Sequence, residues 1–190
     1  LDDRRYERAA DPDRPVAALA QKNYTFYPGT SVLHPLAAPQ LLGQEHTITA
    51  HVKIPAAGAE GVLASFGGEF GGWSLFLKDG RLHYVHNYLK IAEYAVASTG
   101  PVPAGEHELS VHFKPTGTNL KPDYFTGDVV LAVDGKKVGE LKNIKSGGQY
   151  SSMTGYGLVI GRNIGTAVSH AYKTPFAFTG TLEKVNVQLK

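Results

Sequence analysis

The stretch GVLASFGGEFGGWSLFLKDGRLHYVHN (residues 61–87) limits what this chain can become. Three short apolar runs, 62–66, 73–77 and 82–85, are separated by glycine-rich or charged connections. Asp79-Gly80 is a strong hairpin signal, because a two-residue type I′ turn needs positive φ at both central positions. The pairs Gly67-Gly68 and Gly71-Gly72 flank Glu69-Phe70 and free the backbone at the preceding connection. The pattern predicts a three-stranded antiparallel meander containing Trp73, the one tryptophan of the chain.

Alternation continues on both sides of the meander. In 46–54, Ile48, Ala50, Val52 and Ile54 share one face while Thr47, Thr49, His51 and Lys53 share the other. One buried and one wet face mark an antiparallel sheet. In 106–113, His107, Leu109, Val111 and Phe113 fall together, opposite Glu108, Ser110 and His112. Further strands are predicted at 23–27, 91–97, 128–133, 137–141, 158–160 and about 176–189, with Asp134-Gly135 as a second hairpin turn. The last strand changes apolar parity between Leu182 and Val185, which predicts a β-bulge. Residues 114–123, 142–156 and 162–173 read as loops. Many short strands with regular turn signals and almost no helical periodicity predict an all-β chain, an antiparallel two-sheet jelly-roll sandwich. Residues 1–22 read as a linker and 23–190 as one sandwich domain. The polar, proline-containing start at Leu1 raises the expectation of a longer parent chain with an N-terminal domain.

Composition narrows the chemistry. With 42% apolar and 19% charged residues, 190 residues make one domain with a full core. A net charge of +2, spread along the chain, gives no reason to expect nucleic-acid or membrane-surface binding. The absence of cysteine removes disulfides, thiolate metal sites and cysteine nucleophiles, and leaves the compartment open. The eight histidines do not form a zinc motif. HELSVH (107–112) is one residue longer than HExxH, and a strand throws its two histidines to opposite faces. His83/His86 and His46/His51 fail in the same way, so all are expected to be half-buried or surface imidazoles. No Glu-x-Asp-x-x-Glu run points to glycoside hydrolysis, and neither a Gly-x-Ser-x-Gly elbow nor a phosphate-binding loop occurs.

Three groups remain as candidate contacts. Trp73, Tyr84 and Tyr88 suit a sugar-stacking platform, but the alternation of Trp73 with Leu75 and Leu77 places the tryptophan in the core. Tyr84, His86, Tyr88, Tyr150, Tyr156 and Arg162 are the candidate ligand or domain contacts, with the long 147–157 segment as a possible binding loop. Arg4, Arg5, Tyr6 and Arg8 give the linker the Arg- and Tyr-rich character of interface hot spots. Asp123, Asp128 and Asn163 are scattered oxygen donors for calcium, with no spacing that ties them together, so no metal site is expected.

Four stretches carry a family resemblance. Residues 58–88, PVPAGEHELSVHF (101–113), GLVIGRNIGTAVSHAYKTPFAFTGTLEKVNVQL (157–189) and LDDRRYER (1–8) resemble the C-terminal region of bacterial arylsulfatases. Val133-Asp134-Gly135 with Val138-Gly139, and the closing Phe178-Thr179-Gly180 strand, are similar to laminin-G-like and concanavalin A-like sandwiches. The resemblance implies a non-catalytic C-terminal sandwich of a bacterial sulfuric ester hydrolase, packed on its catalytic domain in cis and shaping substrate access. Sulfatases act through a formylglycine within Cys/Ser-x-Pro-x-Arg, beside a calcium ion; this chain has no such motif, so both would belong to the absent domain. The chain alone is therefore expected to be no enzyme and to hold no cofactor. Asn163 departs from the Asp expected after Gly161-Arg162. The other reading is a free-standing lectin-like carbohydrate-binding module. The place of action, cytoplasm or cell envelope, is open.

Overall fold

Strand alternation, followed along the chain, separates the described residues into two antiparallel sheets. A computed structural model describes residues 21–120, 123–147 and 151–190. Its strands are β1 (Asn23–Phe26), β2 (His46–Ile54), β3 (Gly61–Gly68), β4 (Gly71–Lys78), β5 (Arg81–Tyr88) and β6 (Ala92–Ala97). They continue as β7 (Gly105–Leu120), β8 (Asp123–Val133), β9 (Lys136–Gly147), β10 (Leu158–Ile160) and β11 (Thr181–Leu189). The six-stranded sheet has the order β1-β11-β2-β7-β8-β9 and the five-stranded sheet β10-β3-β4-β5-β6. The chain passes between the sheets after β2, β6, β9 and β10, which makes a jelly-roll sandwich. No helix occurs among the described residues.

The core lies between the sheets. Ile48, Leu109, Val111, Leu131 and Val185 from one sheet meet Leu63, Leu75, Leu77, Leu82 and Tyr84 from the other. Ile48, Leu109, Val111, Leu75 and Leu77 are on the faces that the predicted alternations set inward. Both Asp-Gly turns form as read, with φ of 51° and 70° at Asp79-Gly80 and 50° and 75° at Asp134-Gly135. The predicted bulge is present as a register shift between Leu182 and Lys184, which keeps Leu182, Val185 and Val187 all buried.

Two predicted loops turn out to be strand. Residues 114–120 extend β7, and β8 begins at Asp123, so the pair forms a long hairpin in place of the expected 114–123 loop. Pro115 is accommodated because the register shifts there, between Pro115 and Gly117. Residues 142–147 likewise extend β9 against β8. Polar composition hid both extensions; main-chain pairing with a neighbour already in place needs little apolar side chain. The last strand starts at Thr181, later than the expected 176.

The five-stranded sheet is buried on both faces. The loop following β10 crosses its outer side, where Tyr172 joins Val62, Phe76 and Val85 in a second apolar cluster. Phe76 stacks on His83 at 5.0 Å and meets Tyr172 edge-on at 5.0 Å. Inside this loop the Tyr172 hydroxyl donates to Asn163 Oδ1 at 2.8 Å and lies 2.9 Å from Ser74 Oγ. Burial pushes that hydroxyl up to about 12.

Candidate functional site

The site is built where four connections meet at one end of the sandwich. The β1–β2 connection folds back so that Leu33 exchanges two 3.0 Å main-chain hydrogen bonds with Leu158, extending the five-stranded sheet by one residue pair. Its turn is pinned by His34 O, which accepts from the N–H groups of Ala37 and Ala38. Gln40 Nε2 adds bonds to Pro35 O at 2.9 Å and Ala38 O at 2.8 Å. The loop thus stands off the sandwich as a wall and leaves a cleft of about 180 Å³ beneath it. Pro35, Leu36 and Leu41 form the wall; Phe66, Trp73, Leu158 and Val187 form the floor. The opposite rim is Ser151 and Ser152, held where the β3–β4 turn accepts Met153 N–H on Phe70 O at 3.0 Å.

That rim needs the glycines around Glu69-Phe70. Gly72 has φ of 130°, and a Cβ there would fall 1.9 Å from Phe66 O. Gly67 donates to Tyr156 O at 3.1 Å, so the 151–157 segment lies directly on this turn.

Beyond Trp73 a small recess of about 20 Å³ continues inward, bounded by His46, Tyr84, His86 and Phe113. His46 and His86 are only 7% and 6% exposed, which corrects the expectation that every histidine would be half-buried or superficial. Both sit on inward positions of strands that start or end at this mouth. Burial holds both rings neutral, with pKa values lowered to about 4. The His46 Nδ1–H donates to Gln44 O at 2.7 Å, and the ring stacks on Phe113 at 5.3 Å. Tyr84 Oη lies 3.4 Å from His86 Nδ1. Burial raises the Tyr84 hydroxyl far above its usual range.

The candidate contacts disperse over several environments. Tyr84, His86 and Tyr88 all point inward from β5 and are buried, so they form no exposed platform with Trp73. Tyr84 and His86 line the recess, whereas Tyr88 meets Tyr124 edge-on at 6.5 Å. Trp73, 6% exposed, is the core residue expected, and it is also the floor of the cleft. Tyr156 covers Gly68 and Gly165, and Arg162 is exposed on the loop that crosses the outer face. Tyr150, and Arg4, Arg5, Tyr6 and Arg8, lie outside the described residues.

Of the three oxygen donors, Asp128 and Asn163 do not converge, and the Asp123 side chain lies outside those described. Asp123 opens β8. Asp128 accepts from Asn143 N–H and pairs with Lys142, each at 2.9 Å, and the former bond with the latter lowers its pKa. Asn163 is a buried structural amide that accepts from Val168 N–H at 3.2 Å as well as from Tyr172. A neutral amide suits that role, because a buried Asp would need its charge compensated. Among the described residues no three His, Asp or Glu groups are placed to hold a metal ion.

Two further clefts are polar, and one of them holds a buried side-chain atom without a partner among the described residues, His107 Nε2. On the outer face, a cleft of about 460 Å³ is lined by Glu69, Asn87, Lys90, Thr166, His170 and Lys173. There Asn87 Nδ2 donates to Glu69 O and Val168 O, and Lys90 pairs with Glu69 at 3.4 Å. The other cleft, of about 230 Å³, brings His107 Nδ1 to Asp134 Oδ2 at 2.8 Å. His107 and His112 fall on opposite faces, as alternation requires; His112 Nε2 lies 3.0 Å from Glu45.

Sequence reasoning missed His46, Phe66, Leu41 and Leu42 as parts of one cleft. His46 opens an alternating strand, and its parity with Ile48 was the available signal.

No family model and no curated protein matches the chain. Solved structures do. Domains LG4-5 of the mouse laminin α1 chain are 12% identical over 90% of this chain and 40% of that one, with a TM-score of 0.48. A heptameric SAP-like pentraxin from Limulus polyphemus is 14% identical over 89% and 75% of the two chains, at 0.43. The receptor-binding domain of botulinum neurotoxin type G is 10% identical over 77% and 33%, at 0.41. The chain thus spans well under two thirds of the laminin and neurotoxin chains. None of these three is a sulfatase, and the two-sheet antiparallel jelly roll rests on the strand order of the chain itself.

Proposed function

We propose that this chain is a non-catalytic β-sandwich module of an arylsulfatase-like hydrolase, and that it docks on the catalytic domain through the end that carries the apolar cleft. The observation that carries the reading is where the exposed apolar side chains lie. Of six large exposed apolar side chains among the described residues, Leu36 (85% exposed), Phe70, Ile91 and Met153 are on the connections that meet at this end; Tyr27 and Val32 lie earlier, soon after β1. Apolar groups gathered at one end and rimmed by polar residues fit a docking surface. The four sequence stretches that resemble the arylsulfatase C-terminal region supply the partner's identity. The module would shape access to a cleft it does not itself catalyse in, and the formylglycine and calcium would belong to the partner.

The test is the reading frame upstream of the Leu1 codon. An in-frame Cys/Ser-x-Pro-x-Arg motif is expected; a start codon immediately upstream overturns the proposal. The second reading, a carbohydrate-binding module, is favoured by the polar outer-face cleft with Lys90, His170 and Lys173 at its edge. Loss of sulfated-oligosaccharide retention on changing those three residues would support it over the first.

A further inference from the structure

The end cleft and its inner recess have complementary characters. The outer chamber, about 180 Å³, is walled mainly by proline, leucine and aromatic side chains, with Gln40, Ser151 and Ser152 as its polar groups. An apolar cavity of about 150 Å³ is enough to hold benzene. The inner recess, about 20 Å³, is enough for one water or one hydroxyl. The two share Leu41, Leu42, Trp73 and Ser151, so a molecule seated on Trp73 reaches both.

The polar atoms at the inner end are specific. Gln44 O can only accept, so His46 carries its proton on Nδ1 and presents Nε2 as a bare acceptor. Tyr84 Oη lies 3.4 Å from His86 Nδ1, and in the tautomer where the hydroxyl donates to Nδ1 the His86 proton sits on Nε2 as a donor. Among the described residues neither Nε2 has a hydrogen-bond partner. The one side-chain polar atom among the described residues that is both sealed and unpaired is His107 Nε2, in a different cleft, so neither imidazole nitrogen is sealed, and both rings line the recess. The His46 acceptor, with the Nε2–H tautomer of His86 beside it, matches a hydroxyl group in a space of one oxygen atom, since a hydroxyl donates once and accepts at its lone pairs. Among the described residues no cation lines either chamber, so an anion entering would leave water uncompensated.

We infer that this end of the sandwich is a binding site for a neutral, hydroxyl-bearing ligand with a body the size of one ring, of the phenol class. The ring lies on Trp73 in the outer chamber, and the hydroxyl enters the recess between His46 and His86. The inference does not depend on the sulfatase reading, because it is tested on this chain alone.

Trp73 is the one tryptophan, so its emission, excited at 300 nm where phenol does not absorb, reports on the site. The chain is titrated with phenol, toluene and phenyl sulfate, and the imidazole Cε1–H resonances are followed by NMR. Phenol is expected to shift the Trp73 emission saturably and to move the His46 and His86 resonances. Toluene should bind about tenfold more weakly or worse, for lack of the two hydrogen bonds. Phenyl sulfate should not bind. His86→Leu should weaken phenol while sparing toluene, and Ala38→Phe, which fills the outer chamber, should abolish both. Equal affinity for phenol and toluene overturns the role of the recess, and no saturable response to phenol overturns the site. Those two outcomes need only the unaltered chain, so they hold even where a variant fails to fold.

Discussion

His46 and His86 stand in the core as neutral rings, whereas in the unfolded chain each would titrate near the ordinary imidazole value of about 6.5. Burial is the leading cause of both lowered values, about 4 in each case. The unfolded state therefore takes up protons first as pH falls. Their burial costs nothing above about pH 7, and the penalty grows from about pH 6.5 until it levels off near pH 4. Urea midpoints at pH 7.5 and pH 5.0 should differ by the equivalent of about 2 kcal/mol for each ring. Replacing His86 with Leu should remove roughly half of that difference; an unchanged pH slope would count against the burial of this ring. Trp73 belongs to the same residue-level picture. Trp73→Ala should destabilise the fold by about 3–5 kcal/mol, as large core aromatics do, read from denaturant unfolding.

Among the elements, the β1–β2 connection decides whether the cleft exists. It is attached at Leu33, whose carbonyl packs so closely on β10 that a Cβ on Gly157 would fall 1.6 Å from it. Gly157→Ala must push the connection away and break the paired Leu33–Leu158 hydrogen bonds. Overpacking of this kind costs about 1–3 kcal/mol. Hydrogen exchange should show the Leu33 and Leu158 amides losing protection while the β4–β5 hairpin keeps its own. If protection at both amides survives, the attachment lies elsewhere. The hairpin turns behave differently. Asp79-Gly80 and Asp134-Gly135 were readable because their positive φ values are a local demand that sequence must meet on the spot.

At the scale of the whole molecule, the two ends of the sandwich are unlike. One end carries the cleft and Leu36, Phe70, Ile91 and Met153 on its loops, and docking is proposed there. Leu36→Asp with Phe70→Asp should change stability by less than about 0.5 kcal/mol, since exposed side chains contribute little to the fold. The same pair should weaken association with the proposed catalytic domain in pull-down or limited-proteolysis comparisons; unchanged association would remove this end from the interface. The purified chain is expected to show no turnover of an aryl sulfate, because it has no residue from which formylglycine could be made in the required motif. Activity that follows the protein through purification would overturn this.

Period-two alternation, two Asp-Gly turns and a parity change in the last strand were enough to determine an all-β sandwich, its central meander and its bulge. Those are local properties, set by which face of a strand must leave water and where the backbone must turn. The extensions of β7 and β9 were not legible, because main-chain pairing to a neighbour stabilises polar segments that alternate weakly. Nor was the site. Tyr84 and His86 stood out as chemical types, but their direction follows from the strand parity of β5 and their seclusion from what covers the mouth. His46 and Trp73 come from different sheets, and Leu41 from a loop, so nothing in their spacing joins them. Only the packing of one sheet on the other, with the β1–β2 connection fastened across the end at Leu33, brings an apolar floor and two unpaired imidazole nitrogens to one cleft.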